Sequence, residues 1–212
     1  MGRNARLKRE RKRKRLAAKR KADWDLFIKR LPWLRRRILD SGARLDSCIL
    51  STKVVCVLAR KLGYTAIPMT VEAIGMNKPL ADYARKHGEL PHHTRTEELA
   101  KQGARFVVIG AREDRVVEEG MWAGHLCALV STEGHRVLID LSADQADRPH
   151  KQIRLTEPLH IEVSPDWVKG EEMACRNLAE DGLILYRAIP DDDTYTTSPD
   201  WTDDSRISIT LN

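Results

Sequence analysis

GHLCALVSTEGHRVLIDLS, residues 124–142, decides how the fold is read. Two apolar runs, GHLCALV (124–130) and RVLIDLS (136–142), flank a short polar stretch containing Gly134. That is the pattern of a β-hairpin whose turn uses a glycine in the left-handed region. Taking Ser131–Gly134 as the loop puts Val130 opposite His135 and, in the same register, His125 opposite Asp140. Cross-strand partners share a face of the sheet. An imidazole and a carboxylate are therefore expected side by side at the end of the hairpin away from its turn. A histidine held through one ring nitrogen by a carboxylate keeps the other nitrogen to accept a proton.

A group that could give up that proton lies upstream, in DSCILSTKVVCVLARKLG (46–63). Asp46 or Ser47 is placed to cap a helix that Gly63 ends. Val54, Leu58, Leu62, Val55, Cys48, Ala59, Thr52 and Cys56 share a broad arc, and Leu50 and Val57 fall outside it, so burial on most sides is expected. Cys48 stands in the first turn, where free backbone N–H groups and the positive end of the helix dipole favour a thiolate. Cys48 as nucleophile, His125 as proton carrier and Asp140 as the group that orients it form a candidate triad, with Gln145 as a possible auxiliary. Cys56, Cys127 and Cys175 stand in apolar surroundings and are read as core. Four scattered cysteines without a CxxC pair fit a reducing cytosol. His87, His92 and His93 lack the cysteine or carboxylate frame of a metal site and are read as solvated. No metal or other cofactor is expected.

This layout resembles the transglutaminase-like branch of the papain-fold cysteine enzymes. Members commonly open a helix with the cysteine and end it about fifteen residues later in a Leu-Gly-x-x-Ala segment, as Cys48 and LGYTAIP (62–68) do here. They then place His and Asp on adjacent strands, as in GHLCALV and VLIDLSADQ (137–145). The pattern is closest to bacterial and phage transglutaminase-like proteins in which a glutamine follows the aspartate, as Gln145 does. Arylamine N-acetyltransferases share the layout, but their Arg-Gly-Gly stretch is replaced here by ARLDSC (43–48), and Cys127 stands where a tryptophan is common. The resemblance covers residues 46–147 and implies a papain/transglutaminase-like α+β fold with the nucleophile helix packed on an antiparallel sheet.

The chemistry it implies is attack of Cys48 on an amide or ester carbonyl of a protein, peptide or small acyl substrate. The acyl-enzyme is then resolved by water or an amine. The outcomes are hydrolysis, deamidation or acyl transfer. The Cys48 N–H is one oxyanion donor, and the sequence does not identify a second. The alternative is a catalytically silent domain of the same fold that acts through its N-terminal arm.

The rest of the chain agrees with the α+β class. TAIPMTVEAI, RFVVIGA, LHIEV and GLILYRAI read as strands, Leu80–Lys86, Thr96–Gln102 and Asp166–Asn177 as helices, and residues 22–38 as an amphipathic helix that Pro32 kinks or breaks. Helices first and strands later point to a largely antiparallel sheet. Residues 1–21 carry twelve basic residues against Glu10, or +11, so the other 191 residues hold −5 of the total +6. The segment is expected as a disordered or solvated helical tail, with three readings open: phosphate binding to nucleic acid without sequence specificity, a localisation signal, or a merely solvated tail. Residues 22–190 form the expected domain, and 191–212 an acidic loop with six Asp followed by a C-terminal strand. No apolar run approaches the roughly 18 residues of a membrane span.

Overall fold

The computed structural model describes residues 3–43, 47–110, 124–132 and 135–192. Its first element, α1 (Arg3–Asp40), is one helix of 38 residues with two chemically different halves. Phe27, Leu31, Leu34 and Ile38 recur at helical spacing and are buried against α2 (Cys48–Lys61). Residues 6–22 are exposed, so of the two expected states for the arm the solvated helix is the one formed. The helix also runs through Pro32, where a kink or break is expected. A mid-helix proline costs about 3 kcal/mol. Burying four large apolar side chains on both sides of it contributes about 6–12 kcal/mol, enough to keep the helix continuous through the proline.

After Gly63, whose φ of +85° ends α2, the chain enters β1 (Thr65–Met76). Among the described residues this strand is the centre of a seven-stranded, wholly antiparallel sheet. The others are β2 (Phe106–Ile109), β3 (His125–Ser131), β4 (Arg136–Asp140), β5 (Leu159–Glu162), β6 (Met173–Asn177) and β7 (Leu183–Ala188). Their order is β5-β4-β3-β1-β7-β6, and β2 pairs the far half of the β1 edge that β3 begins. The ends of the path, β5 and β6, approach within 8 Å, so the sheet curls toward a barrel.

Alternation sorts the strands into two faces. Met69, Val71, Cys127, Leu129, Leu138, Ile184 and Tyr186 point inward and pack on Ile153 and on Trp167 of the short helix α5 (Pro165–Val168). Ala66, Ala128, Val130, Val137 and Ile139 point outward beneath α1 and α2. Further along, α3 (Lys78–His87) and α4 (His93–Lys101) cover Met76 and Leu183.

Four expectations change. The Thr132 N–H donates to His135 O at 2.9 Å and Ser131 faces Arg136, so the hairpin closes two residues tighter than a Ser131–Gly134 loop. Its register therefore moves by two. Extending the pairing of Ala128 with Ile139 puts Cys127, not His125, opposite Asp140; the shift is even, so all three keep the same face. The helix expected over 166–177 is only α5. Gly170, at φ +81°, ends it where a side chain would come within 3.1 Å of Ala188 O, and Met173–Asn177 pairs with β7. On that outer strand Ala174 turns inward and Cys175 is exposed, so Cys175 is not core. Ile49 and Leu50 are exposed at the start of α2, and burial on most sides begins only at Ser51. The acidic loop and strand expected beyond residue 192 lie outside the described residues. Among the described residues, no helix is long and apolar enough to cross a membrane.

Candidate active site

His125 opens β3 and Asp140 closes β4, both buried on the inner face. The register leaves them diagonal, and the imidazole spans the offset: Nε2 lies 2.8 Å from Asp140 Oδ2. Tyr186 Oη donates to the same oxygen at 2.8 Å, while Oδ1 accepts from the Ser142 N–H at 3.0 Å and from Ser142 Oγ at 3.2 Å. Burial opposes ionisation of Asp140, but the charge and hydrogen bond of His125, with those of Tyr186 and Ser142, outweigh it and hold its pKa below the usual carboxylate value. Burial likewise disfavours the imidazolium, yet the adjoining carboxylate raises His125 well above the usual histidine value. Burial, reinforced by Asp140, pushes the Tyr186 hydroxyl well above its ordinary range, so it remains a donor. With Asp140 ionised, Nε2 carries a proton toward it. Among the described residues the other ring nitrogen, Nδ1, is buried without a nitrogen or oxygen hydrogen-bond partner, and the Cys127 thiol lies beside the ring.

The register shift brings in Cys127, which the sequence reading assigned to the core. Its sulfur, a His125 ring nitrogen and an Asp140 oxygen lie within 4.8 Å of one another. Burial, and then the negative charge of Asp140, push its thiol up to about 12. It is therefore an S–H at neutral pH and a poor nucleophile. Among the described residues these three side chains are close enough together to face one metal ion, and both Asp140 oxygens already accept hydrogen bonds.

Cys48 is the first residue of α2 and is buried. Ser47 occupies the N-cap position but makes no side-chain cap; its Oγ accepts from Arg35 instead. The first helical bond runs from Ser51 N to Ser47 O, so the N–H groups of Cys48, Ile49 and Leu50 precede the intrahelical ladder. β1 returns antiparallel to both α2 and β3, so these two start at the same end of the sheet. Thr52 Oγ1 confirms the level by donating to Leu126 O at 2.8 Å. Cys48 precedes Thr52 by one helical turn on the same side, and His125 precedes Leu126 by one residue. The body of α2 covers the outer face, whereas His125 and Cys127 point inward. The path from Cys48 to Nδ1 therefore goes round the end of the sheet. Cys48 is close enough to contribute to the raised pKa of Cys127. Among the described residues it makes no hydrogen bond to His125. His125 and Asp140 are thus brought together, and Cys48 is brought to the same end.

Arg35 holds that end in place. This buried guanidinium grips Asp144 through Nε (3.0 Å) and Nη2 (2.8 Å), and its Nη1 donates to Ser47 Oγ (3.0 Å) and Ser51 Oγ (3.2 Å). It ties the residues flanking Cys48 to the 3-10 turn Ala143–Ala146 that follows Asp140. Gln145 sits half-buried in that turn. Sequence reasoning missed Arg35 and Tyr186. The signal for Arg35 was its place on the apolar stripe, four residues after Leu31 and three before Ile38. Tyr186 alternates with Ile184 and Ala188 on an inward face, which marks burial but not its partner. Away from the site, His87 is exposed and stacks on Tyr83 at 4.3 Å, and His92 is exposed, as expected of solvated histidines. Comparison with known protein families, with curated proteins and with solved structures gives no match.

Proposed function

We propose that this protein is a cysteine-nucleophile acyl-transfer enzyme of transglutaminase-like layout, with Cys48, His125 and Asp140 as its triad. The observation that carries the reading is the buried His125–Asp140 pair, whose Nδ1 has no nitrogen or oxygen partner among the described residues, at the end of the sheet where α2 begins with Cys48. The raised imidazole holds on Nδ1 the proton given up by Cys48, the thiolate sulfur bonds to the carbonyl carbon, and the imidazolium passes that proton to the departing amine or alcohol. Water or an amine then attacks the thioester, again deprotonated by His125, and the Cys48 sulfur leaves. Asp140 holds the ring and stabilises its charge. The N–H groups at the start of α2 are suited to the oxyanion. Four free cysteines suit a reducing compartment.

The test is labelling with a cysteine-directed acyl probe, followed by peptide mapping. A Cys48 adduct that slows at least tenfold in His125→Ala is the expected result, with circular dichroism confirming the fold. Labelling confined to exposed Cys175, or unaffected by His125→Ala, overturns the enzyme and leaves a silent scaffold of the same architecture.

A further inference from the structure

The exposed half of α1 is a second surface, independent of the cysteine site. Residues 1–21 hold twelve cations and one acid, Glu10, and the acid is paired to Lys14 at 3.0 Å. Charge of this density ordinarily keeps a chain extended and unstructured. Here it is carried on a helix continuous with the half that Phe27, Leu31, Leu34 and Ile38 fix in the core. At its root Tyr64 Oη donates to Arg20 O at 2.7 Å, and Trp24 meets the Tyr64 ring edge-on at 5.2 Å. These contacts set the direction in which the helix leaves the body.

The distribution of charge selects the partner. At 100° per residue the cations of Arg3–Lys21 surround the axis and leave no gap wider than roughly 60°. A helix that lies on a membrane needs an apolar face, and one that joins a coiled coil needs an apolar seam. Leu7 and Leu16 are exposed and form neither. A helix with cations on every side is matched by negative charge on more than one side. The major groove of B-DNA is about 12 Å wide, bounded by phosphates on both walls, and admits a helix about 10–12 Å across. The deep, narrow major groove of A-form RNA does not. Arg3–Lys21 spans about 28 Å, close to one turn of the duplex, about 34 Å. The remaining 191 residues carry −5, which leaves the arm as the attractive element. Residues 1–21 contain no aromatic side chain to insert between bases, so the contact is with the backbone and not the sequence.

We propose that the exposed N-terminal half of α1 is a preformed rod that docks in the major groove of duplex DNA and holds phosphates on both walls without reading bases. The test uses the full chain and fluorescence anisotropy, with a 20-base-pair DNA duplex, the matching RNA duplex, heparin and anionic vesicles, each over a salt series. DNA is expected to bind at least tenfold more tightly than the RNA duplex and to weaken steeply with salt. Replacing Lys8, Arg11, Lys12 and Arg15 with Gln, a good helix former, weakens DNA binding at least tenfold and lowers the salt slope by about two to four. Ala18→Pro keeps every charge but breaks the rod, so preference for DNA over RNA falls away while salt dependence persists. Melting curves of both variants should match the parent, because the altered residues are exposed. Equal affinity for DNA, RNA and heparin overturns groove docking, as does DNA preference retained in Ala18→Pro, tighter binding to vesicles, or no DNA binding at low salt.

Discussion

Replacing Tyr186 with Phe removes one oxygen from the interior and nothing else. The ring keeps its place in the inner core, while Asp140 Oδ2 loses a donor at 2.8 Å and keeps His125 Nε2. A hydrogen bond to a charged group contributes about 1.5–3 kcal/mol. Little solvent can reach Asp140 to replace it, since the residue is buried. A loss of about 2 kcal/mol lowers the melting temperature of a domain this size by about 4–8 °C. The pH dependence follows from linkage. Asp140 has a folded pKa below the ordinary aspartate value of 3.8, so its stabilisation is present above that value and is lost as pH falls through the folded pKa. Without Tyr186 the folded pKa rises, so acid destabilisation begins at higher pH. The difference between the proteins is flat above about pH 5 and shrinks as both become protonated. Urea unfolding between pH 3 and 7 measures it. A difference below about 0.5 kcal/mol at pH 7, or one that does not shrink in acid, refutes the view that Tyr186 sustains the charge on Asp140.

Arg35→Met should cost about 3–5 kcal/mol in urea unfolding, because Asp144 is left as a partly buried charge without its guanidinium. Adding Asp144→Leu should recover part of that loss. Gly110 lies at φ +80°, where a Cβ would stand 2.3 Å from Val71 O and 2.9 Å from His125 Cβ. Gly110→Ala should therefore destabilise by more than about 2 kcal/mol and slow probe labelling of Cys48 by shifting the imidazole. In native iodoacetamide alkylation at pH 7, Cys175 should react because it is exposed, and Cys48 should react as the proposed nucleophile. Cys127, raised to about 12, and buried Cys56 should be protected until unfolding. Rapid alkylation of Cys127, read by mass mapping, would refute the assignment of the buried thiol.

The α+β class, a largely antiparallel sheet, the first-turn position of Cys48 and the closeness of His125 to Asp140 were legible because each rests on local pattern and on the order of elements. Alternation in β3 and β4 specifies which residues share a face, and parity survives a register error of two. The register itself was not legible. It depends on where the turn closes, and β1 and β5 fix β3 and β4 from their outer sides. That is why Cys127 came to the carboxylate unforeseen. β6 was misread for a related reason: Met173–Asn177 has no strong strand pattern and becomes a strand only because β7 offers an edge. Arg35 and Tyr186 serve groups more than 40 residues away, Asp144 and Asp140. A local pattern can show that such side chains are buried, but only packing decides which charge they meet. The arm shows the same division. Its composition determined a polycation, whereas its setting as a directed helix comes from Phe27, Leu31, Leu34 and Ile38 packing beneath α2, which keeps the helix continuous through Pro32.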